Sequence, residues 1–582
     1  MKYAEGIKKI KSVAYTVTEL HGIDRSEHGK SGALYSVYNM TGSGSSSLKP
    51  RARRAAIRTL TSADGLFGDD TLAYVDNGRL YYGALEVSGL MLSPGDKSLF
   101  KLGSYILVFP DEVYFNTADT SDCGRMSVSF SADSARLCCV DGELNEISYT
   151  VVEKEPDGAA AGSYCAVRKT NGGLTMKRYD GSLWSECEAF TKLAAIGIGS
   201  GLRIGDAVEC QGINELGSGF RVIAVSNDAL YCEGVPRSEV ALGGVKISRT
   251  VPIFDHCAIS GGRLCGVRRG RDKTGKLVCR IYASAENDPF NFSELGGGAY
   301  ADIDISGAFT GICDYLGSPI AFSESDIIES RIKNGALIAT VIKSYGIESG
   351  ASKSAVSSNG VLYYKSSVGI CCYDGSYPEC ISNAICERVD ISEYGTPAIC
   401  ANGKYYIKLT NNKSKTAIYI YDTNKRRWYT EDDPGVKMFA KRRESVYMLT
   451  EGGELLLLDS ELADADELAY CSGQGYPVIE ESFEWSMESA DIGEDTFSSV
   501  CPVRLNVRLV KDAESEVKVG VIYDGEPSEE TVIERGACGA IGVPIPLRRA
   551  DAFRICISGE GECEIKGYSV EYRAGGASRA WR

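Results

Sequence analysis

One pattern of apolar and polar residues recurs along the chain. A short apolar stretch leads into a turn that contains glycine, asparagine or aspartate, and a second apolar stretch follows, often with tyrosine. Asn77–Gly78, Asn359–Gly360 and Asn402–Gly403 suit type I′ turns, in which both central residues need a positive φ. The pattern therefore predicts a series of β-hairpins. The instances are AYVDNGRLYYG (73–83), LGSYILVFPDEVYFN (102–116), AISGGRLCGV (258–267), YLGSPIAFSESDIIE (315–329), VSSNGVLYYKS (356–366), ICANGKYYIKL (399–409) and AKRRESVYMLTEGGELLLLD (440–459).

The spacing of these hairpins indicates their architecture. The last four begin about 40 residues apart, which is the period of a propeller blade, a four-stranded sheet that buries its faces only against neighbouring blades. The 65 glycines and 33 tyrosines agree with strands joined by many turns. We predict an all-β fold with a β-propeller of five to seven blades, placed in 60–125 and 251–470. Stacked β-sandwiches are the alternative.

Three further segments depart from the hairpin pattern. Residues 1–59 are interpreted as an N-terminal arm, and residues 126–250 as an inserted domain that contains a small β-barrel. Residues 471–582 are expected to form a C-terminal β-sandwich, because PVRLNVRLVKDAESEVKVGVIYDG alternates strictly between apolar and polar positions. Helix signals are scarce, and DSELADADEL (459–468) is predicted as one short helix behind the cap Ser460.

The charge of the chain limits its partners. A formal net charge of −16 disfavours a general binder of nucleic acid or anionic membrane, because phosphate repels such a surface. A basic island departs from this trend. It is interpreted either as a solvated surface loop or as an ionic contact to a partner. Its residues are Lys49, Arg51, Arg53, Arg54 and Arg58. We find no signal-peptide pattern and no run of 18 apolar residues, so we expect synthesis in the cytoplasm and no membrane insertion.

The 21 cysteines and three histidines suggest packing rather than a metal site. No Cys-x-x-Cys pair occurs, and Cys265, Cys279, Cys313 and Cys556 lie within apolar stretches, where a free thiol behaves as a small hydrophobe. The adjacent cysteines of Cys138–Cys139 and of Cys371–Cys372 would point to opposite faces of a strand. None of the histidines, His21, His28 and His256, has a partner at metal-ligand spacing, so we expect no metal and no cofactor.

Candidate catalytic motifs are weak. Asp302 and Asp304 could share one side of a strand, but an exposed strand face is the simpler interpretation. The acidic turn 431–433 could attract calcium, yet it lacks EF-hand spacing. GRDKTGKL (270–277) approximates a phosphate loop, but Leu277 stands where Ser or Thr should hold magnesium, so a basic hairpin turn is favoured. We therefore predict that the chain is not an enzyme.

Several phrases, taken in order, resemble tail-associated propeller proteins of bacterial viruses and prophages, including the tail nozzle (tail tubular protein B) of short-tailed phages. In that family a short arm with Asn-Met/Leu and Pro-Arg leads into the first blade, and Asn39, Met40, Pro50 and Arg51 occupy those places. The remaining phrases are the Asp-Pro-x-Asn-Phe type turn IYASAENDPFNFSE (281–294), the blade ending KRRWYTEDDP (425–434) and the C-terminal FRICISGEGECEIKGYSVEYR. The arm departs from the family pattern at Gly42–Ser47, which replace a bulkier turn.

The resemblance implies a structural virion protein of a phage tail, assembled in the host cytoplasm. Nozzle proteins form a ring, a homo-hexamer beneath the portal and adaptor, and DNA passes through the lumen without specific binding. On this view the candidate partner contacts are Asn39, Lys49, Arg51, Arg53 and Arg54. The alternative function is a carbohydrate-binding or glycoside-cleaving propeller that recognises a host surface receptor.

Overall fold

The computed structural model describes residues 11–26, 31–44, 46–169, 173–271, 274–385, 388–392, 395–462, 477–493 and 498–577. Within these ranges the chain folds into 52 β-strands and five short 3-10 turns, and no α-helix occurs there. This confirms the predicted all-β class. The chain divides into two compact units. Unit 1 comprises Met1–Glu86, Pro94–Asp96 and Ser344–Arg582, and unit 2 comprises Val87–Ser93 and Lys97–Lys343.

The strands are numbered in chain order. In residues 11–86 they are β1 (Lys11–Val17), β2 (Leu34–Tyr38), β3 (Met40–Ser43), β4 (Ser47–Pro50), β5 (Ala55–Thr59), β6 (Ala63–Gly68), β7 (Leu72–Asp76), β8 (Arg79–Tyr82) and β9 (Leu85–Glu86). In residues 98–343 they are β10 (Ser98–Leu102), β11 (Tyr105–Phe109), β12 (Val113–Asn116), β13 (Cys123–Arg125), β14 (Val128–Asp141), β15 (Tyr149–Val152), β16 (Tyr164–Arg168), β17 (Leu174–Tyr179), β18 (Trp184–Glu186), β19 (Ala189–Ala194), β20 (Ala207–Gln211), β21 (Gly219–Ser226), β22 (Ala229–Glu233), β23 (Val240–Arg249), β24 (His256–Ser260), β25 (Arg263–Arg271), β26 (Leu277–Ala283), β27 (Ala299–Ile303), β28 (Gly311–Tyr315), β29 (Ser318–Phe322), β30 (Asp326–Lys333) and β31 (Ala336–Lys343).

In residues 356–577 the strands are β32 (Val356–Ser358), β33 (Val361–Ser366), β34 (Gly369–Tyr373), β35 (Glu379–Cys380), β36 (Val389–Asp390), β37 (Ala398–Ala401), β38 (Lys404–Asn411), β39 (Thr416–Asp422), β40 (Arg427–Asp432), β41 (Val436–Arg442), β42 (Ser445–Thr450), β43 (Glu454–Leu457), β44 (Val478–Ile479), β45 (Glu484–Ser489), β46 (Ser498–Lys511), β47 (Glu516–Tyr523), β48 (Glu526–Pro527), β49 (Thr531–Ile533), β50 (Ala537–Val543), β51 (Phe553–Glu560) and β52 (Cys563–Ala577). The 3-10 turns are Asn214–Leu216, Glu294–Gly296, Ser352–Ser354, Ile381–Ile385 and Ser460–Leu462.

Unit 1 contains four antiparallel blades. Three are built from consecutive strands, β6–β9, β32–β35 and β37–β40, and the fourth joins β41–β43 to the N-terminal strand β5. The first strands of successive blades pack side by side, β32 against β37, β37 against β41 and β41 against β6. This packing buries the blade faces, with Tyr74, Tyr447 and Leu455 fully enclosed between β6–β9 and the blade that contains β5. Four-stranded sheets that pack face to face in succession are expected of a propeller.

Unit 2 contains three more blades and the inserted domain. The blades are β10–β13, β24–β27 and β28–β31, and their first strands also pack side by side, β10 against β24 and β24 against β28. Between β13 and β24 the chain forms a closed barrel in the order β14-β19-β22-β21-β20-β23, with the four-stranded sheet β15–β18 inserted in it. Leu137, Leu193 and Leu230 fill the barrel interior. The predicted small β-barrel is thus present.

The C-terminal part of unit 1 is the predicted sandwich. One sheet runs β3-β4-β52-β46-β50, with β1 also paired to β52, and the second contains β2, β45, β51 and β47 to β49. Leu505, Val507 and Leu509 of β46 are buried while Arg504 and Arg508 are exposed, which confirms the alternation seen in the sequence. Gly567 is required in β52 because a Cβ there would lie 2.2 Å from the Val17 carbonyl oxygen of β1.

The described residues of the segment 1–59 pair with other parts of the fold. Strands β1, β3 and β4 join the sandwich sheet of β52, β2 pairs with β45 and with the blade strand β40, and β5 completes a blade. Pairing of this kind satisfies backbone groups that a free arm would leave to solvent. The described residues of the segment interpreted as an arm are therefore built into unit 1.

The turn chemistry agrees with the sequence. The φ angles are 50° and 71° at Asn77–Gly78, 51° and 78° at Asn359–Gly360, and 51° and 73° at Asn402–Gly403. Both central residues are left-handed in each case, as a type I′ turn requires. GRDKTGKL connects the antiparallel pair β25 and β26, as expected of a hairpin. Of the helix predicted at 459–468, Ser460–Leu462 form a 3-10 turn, and 463–468 lie outside the described residues.

Candidate assembly site: the N-terminal joint

The basic island meets the acidic turn at the end of β40. Arg51 and Arg54 lie between β4 and β5, and Glu431 and Asp432 form the last two positions of β40. With Asn39 and Glu480 they form one polar cluster inside unit 1, which we call the N-terminal joint. This cluster joins the link between β4 and β5 to the blade strand β40 and to the segment that precedes β45.

Arg51 bridges two carboxylates. Its terminal nitrogens Nη1 and Nη2 donate to Glu480 Oε2 and Oε1 at 2.8 and 2.9 Å, and its Nε and Nη2 donate to Asp432 Oδ1 at 3.1 and 3.0 Å. The guanidinium carbon lies 3.8 Å from the centroid of the Phe483 ring. Its side chain is only 3% exposed. Such bidentate and stacked contacts are specific to arginine and fix the side chain in one orientation.

Arg54 also bridges two carboxylates, those of Asp432 and Glu431. Its Nη1 donates to Asp432 Oδ2 at 2.7 Å, and its Nη2 donates to Glu431 Oε2 at 3.3 Å and to the Asp432 carbonyl at 3.0 Å. The backbone N–H of Arg54 also donates to Glu480 Oε2 at 3.2 Å. The two arginines thus enclose Asp432 between them.

Asn39 provides the neutral part of the joint. Its Oδ1 accepts from the backbone N–H of Asp432 at 2.9 Å, and its Nδ2 donates to the Glu484 carbonyl at 2.8 Å. Its φ is 54°, a left-handed angle that asparagine tolerates better than most side chains. Both the residue type and its backbone angle are therefore used in joining β2, β40 and β45.

The charges of the joint are mutually stabilised. Burial alone would raise the pKa of Asp432, but the positive charges of Arg54 and Arg51 outweigh it and lower the pKa. Burial likewise acts to raise the pKa of Glu480, and the hydrogen bond from Arg51 lowers it. Both carboxylates are therefore ionised in the folded state at neutral pH.

The structure separates the five predicted partner contacts into two groups. Asn39, Arg51 and Arg54 are buried and bonded within unit 1, whereas Lys49 and Arg53 are exposed. An ionic contact to a partner stays a prediction, and the exposed cations open to it are Lys49 and Arg53. Residues 431–433 were considered as a possible calcium turn, but Glu431 and Asp432 bind the arginines and Asp433 pairs with Lys408 at 3.2 Å.

A second joint lies in unit 2 and uses the turn 281–294. Asn291 Oδ1 accepts from the backbone N–H of Ala207 at 2.8 Å, and Asn291 Nδ2 donates to Asp206 Oδ1 at 3.3 Å. Asp206 also pairs with Arg249, and both side chains are 2% exposed. The Phe290 ring lies 4.9 Å from the Arg249 guanidinium. This barrel joint fixes the closed barrel to the blade β24–β27.

All of the described cysteines except Cys538 are buried or half-buried. Nineteen of the cysteines are described, and all are free. Burial raises the pKa of Cys232 and Cys265 to about 12, so these thiols stay protonated. Burial lowers the pKa of His256, which has a hydrogen-bond partner in the Phe309 backbone. His28 lies outside the described residues.

Three further observations concern metal binding, membrane insertion and the paired acids. In the described part of the chain, no group of three or more His, Cys, Asp or Glu side chains is placed to hold a metal ion. Over the same ranges no helix has the length and apolar character needed to cross a membrane. Asp302 and Asp304 are both exposed, as expected, and Asp302 pairs with Arg280.

Comparison with known proteins yields no family assignment. No protein-family model matches the chain, and no curated protein matches it. Among solved structures, an exo-β-1,3-galactanase from Phanerochaete chrysosporium aligns at 8% identity and a TM-score of 0.19, covering 88% of this chain and 100% of its own. Dipeptidyl peptidase 4 from Porphyromonas gingivalis aligns at 11% identity and a TM-score of 0.28, covering 76% and 66%.

A third solved structure is the extracellular domain of a one-component system from B. thetaiotaomicron. It aligns at 10% identity and a TM-score of 0.18, covering 84% of this chain and 95% of its own. TM-scores this low carry no argument about the chemistry of the present chain. Its function has to be argued from its own residues.

Proposed function

We propose that this chain is a structural virion protein of a phage tail, a ring component of the conduit through which DNA is ejected. The proposal rests on the sequence resemblance and on one structural observation. Each phrase that carries the resemblance is used to hold segments of the chain together.

The four phrases have comparable roles. Asn39 and Arg51 belong to the N-terminal joint, and KRRWYTEDDP supplies its acidic side through Glu431 and Asp432. The turn 281–294 supplies Asn291 to the barrel joint. The C-terminal phrase forms β51 and β52, and β52 pairs with β1 and β4. Polar side chains that bond to one another inside the fold favour a rigid scaffold over an active site.

A ring is the assembly that this proposal requires. Head-to-tail contacts repeated under rotation generate a closed ring, and each contact would bury a standard interface or more. We propose that the exposed Lys49 and Arg53 contribute ionic contacts to a neighbouring copy or to a portal or adaptor protein. Since these side chains are exposed, their share of the affinity should depend on salt.

Light scattering coupled to size-exclusion chromatography of the full chain tests the proposal. We expect a discrete ring, formed alone or on mixing with the portal protein, and annular particles by electron microscopy. A strict monomer under both conditions would overturn it. A monomer that is retained on a glycan array would favour the alternative, a propeller that recognises a carbohydrate receptor.

A further inference from the structure

The outer edge of the blade β32–β35 carries two cysteines that face each other across a strand pair. Cys371 of β34 and Cys380 of β35 are direct partners in antiparallel register. Directly opposed residues of such a pair have Cα atoms about 4.5–5.5 Å apart, which lies within the range of about 4.4–6.8 Å that a disulfide can span. The neighbouring Cys372 is paired with Glu379 and has no cysteine opposite it.

The Cys380 sulfur is held in a defined notch. It lies 3.4 Å from Ser382 Oγ and 3.6 Å from the Val368 carbonyl oxygen. A Cβ added at Gly369 would come within 3.0 Å of this sulfur and 2.3 Å of Ser382 Oγ, so the glycine leaves the space that the notch needs. Cys380 is half-buried and open to small reagents, whereas Cys371 is 1% exposed.

From this geometry we propose that Cys371 and Cys380 form a reactive dithiol that small disulfides oxidise to an intramolecular disulfide. The Cys380 thiolate attacks a low-molecular-weight disulfide and forms a mixed disulfide, releasing one thiol. Cys371 then loses its proton, attacks the Cys380 sulfur and releases the second thiol. Two protein thiols are oxidised and one small disulfide is reduced to two thiols, so atoms and electrons balance.

The electrostatics of the pair support this order of events. The hydrogen bond from Cys371 lowers the pKa of Cys380 to about 6, with smaller help from Ser382 and the backbone of Asn383. Hydrogen bonding to Cys380, together with burial, raises the pKa of Cys371. The accessible sulfur is thus the nucleophile and the enclosed sulfur is the resolving thiol.

The bond would add a covalent link to a short edge strand. Strand β35 has only two residues, and it follows a turn in which Tyr377 is 73% exposed. A cross-link between β34 and β35 would tie this outermost strand to the blade. The redox state would therefore decide whether β35 is covalently tied to β34.

The test treats the full chain with oxidised glutathione. The remaining thiols are then alkylated, and the cross-linked peptides are identified by mass spectrometry. In the wild type we expect a Cys371–Cys380 cross-link and the loss of two titratable thiols. Cys371→Ser should stop at a Cys380–glutathione mixed disulfide, and Cys380→Ser should show no reaction at either position. Cys372→Ser is the matched control and should cross-link as the wild type does.

A second measurement on the wild type covers the case in which a variant fails to fold. The rate of iodoacetamide alkylation at Cys380 should fall about tenfold between pH 7.5 and 5 as the thiolate is protonated. A cross-link that forms preferentially between other cysteines would overturn the proposal. So would Cys380 reacting no faster than the buried thiols at pH 7.

Discussion

Arg51 is the side chain on which the N-terminal joint depends most. It holds Asp432 and Glu480 together and is almost fully buried. Arg51→Ala would leave both carboxylates without this partner, and breaking a buried ion pair costs about 3 kcal/mol. We expect a loss of that size in the free energy of unfolding of unit 1. Urea unfolding followed by tryptophan fluorescence measures it, because Trp428 and Trp485 are both buried in this unit.

Arg53→Ala is the matched control, since Arg53 lies two residues away and is exposed. Surface substitutions of this kind change stability by about 0.5 kcal/mol or less. Equal effects of the two variants would show that the joint contributes no more than a solvated patch.

The joint also makes stability depend on pH. The folded-state pKa values of Asp432 and Glu480 lie below their unfolded values, so the unfolded chain binds more protons in the acidic range. Their contribution is complete above the unfolded pKa values, near pH 4, and is lost as the pH falls through the lower folded values. Urea midpoints between pH 7 and 3 should therefore drop mainly below pH 4. The double variant Asp432→Asn, Glu480→Gln should be less stable at pH 7 and show a shallower drop; a wild-type slope in that variant would contradict the assignment.

For single residues, the sequence predicts the structure only where neighbouring residues determine it. The Asn-Gly turns could be predicted because a positive φ at two adjacent residues is a property of those residues. The burial of Arg51 could not, because Asp432 and Glu480 are 381 and 429 positions away. The basic island and the acidic turn were each visible, but only the fold brings them together.

The turn 281–294 connects two elements of unit 2. Asn291 is 1% exposed and satisfies both the N–H of Ala207 and a carboxylate oxygen of Asp206. Asn291→Ala leaves these groups without that partner, which costs about 2 kcal/mol. We expect faster amide hydrogen exchange at the start of β20, measured by mass spectrometry on the full chain. Glu286→Ala, at an exposed position of the same turn, should leave the exchange of β20 unchanged; protection of β20 in both variants would contradict the barrel joint.

The blades and the sandwich strands follow from local patterns, because a hairpin needs only alternation and a turn. The order of the strands within a sheet does not follow from local patterns. Strand β5 pairs with β43, and β2 pairs with both β40 and β45, at separations of several hundred residues. Nothing in the composition of residues 1–59 distinguishes a segment that fills vacant sheet positions from a free arm. The described residues of this segment therefore complete sheets of their own unit, and the exposed Lys49 and Arg53 stay open to a partner.

The chain combines a net negative charge with internally paired cations. The formal net charge is −16, yet Arg51, Arg54 and Arg249 are buried against carboxylates. These arginines are neutralised by carboxylates inside the fold, and the rest of the chain keeps an excess of acidic groups. The proposed DNA conduit would benefit from this excess of acidic groups, because an acidic wall repels phosphate and lets the duplex slide.

This distribution predicts how the purified chain treats DNA. Binding through phosphate contacts strengthens as salt is lowered, so about 50 mM salt is a demanding condition. We expect no mobility shift of duplex DNA at that salt concentration, because the net charge repels the backbone. A shift that weakens with added salt would contradict the proposed conduit surface. If such a shift disappears in the Lys49→Ala, Arg53→Ala variant, the exposed part of the basic island is a nucleic-acid contact rather than a contact between protein subunits.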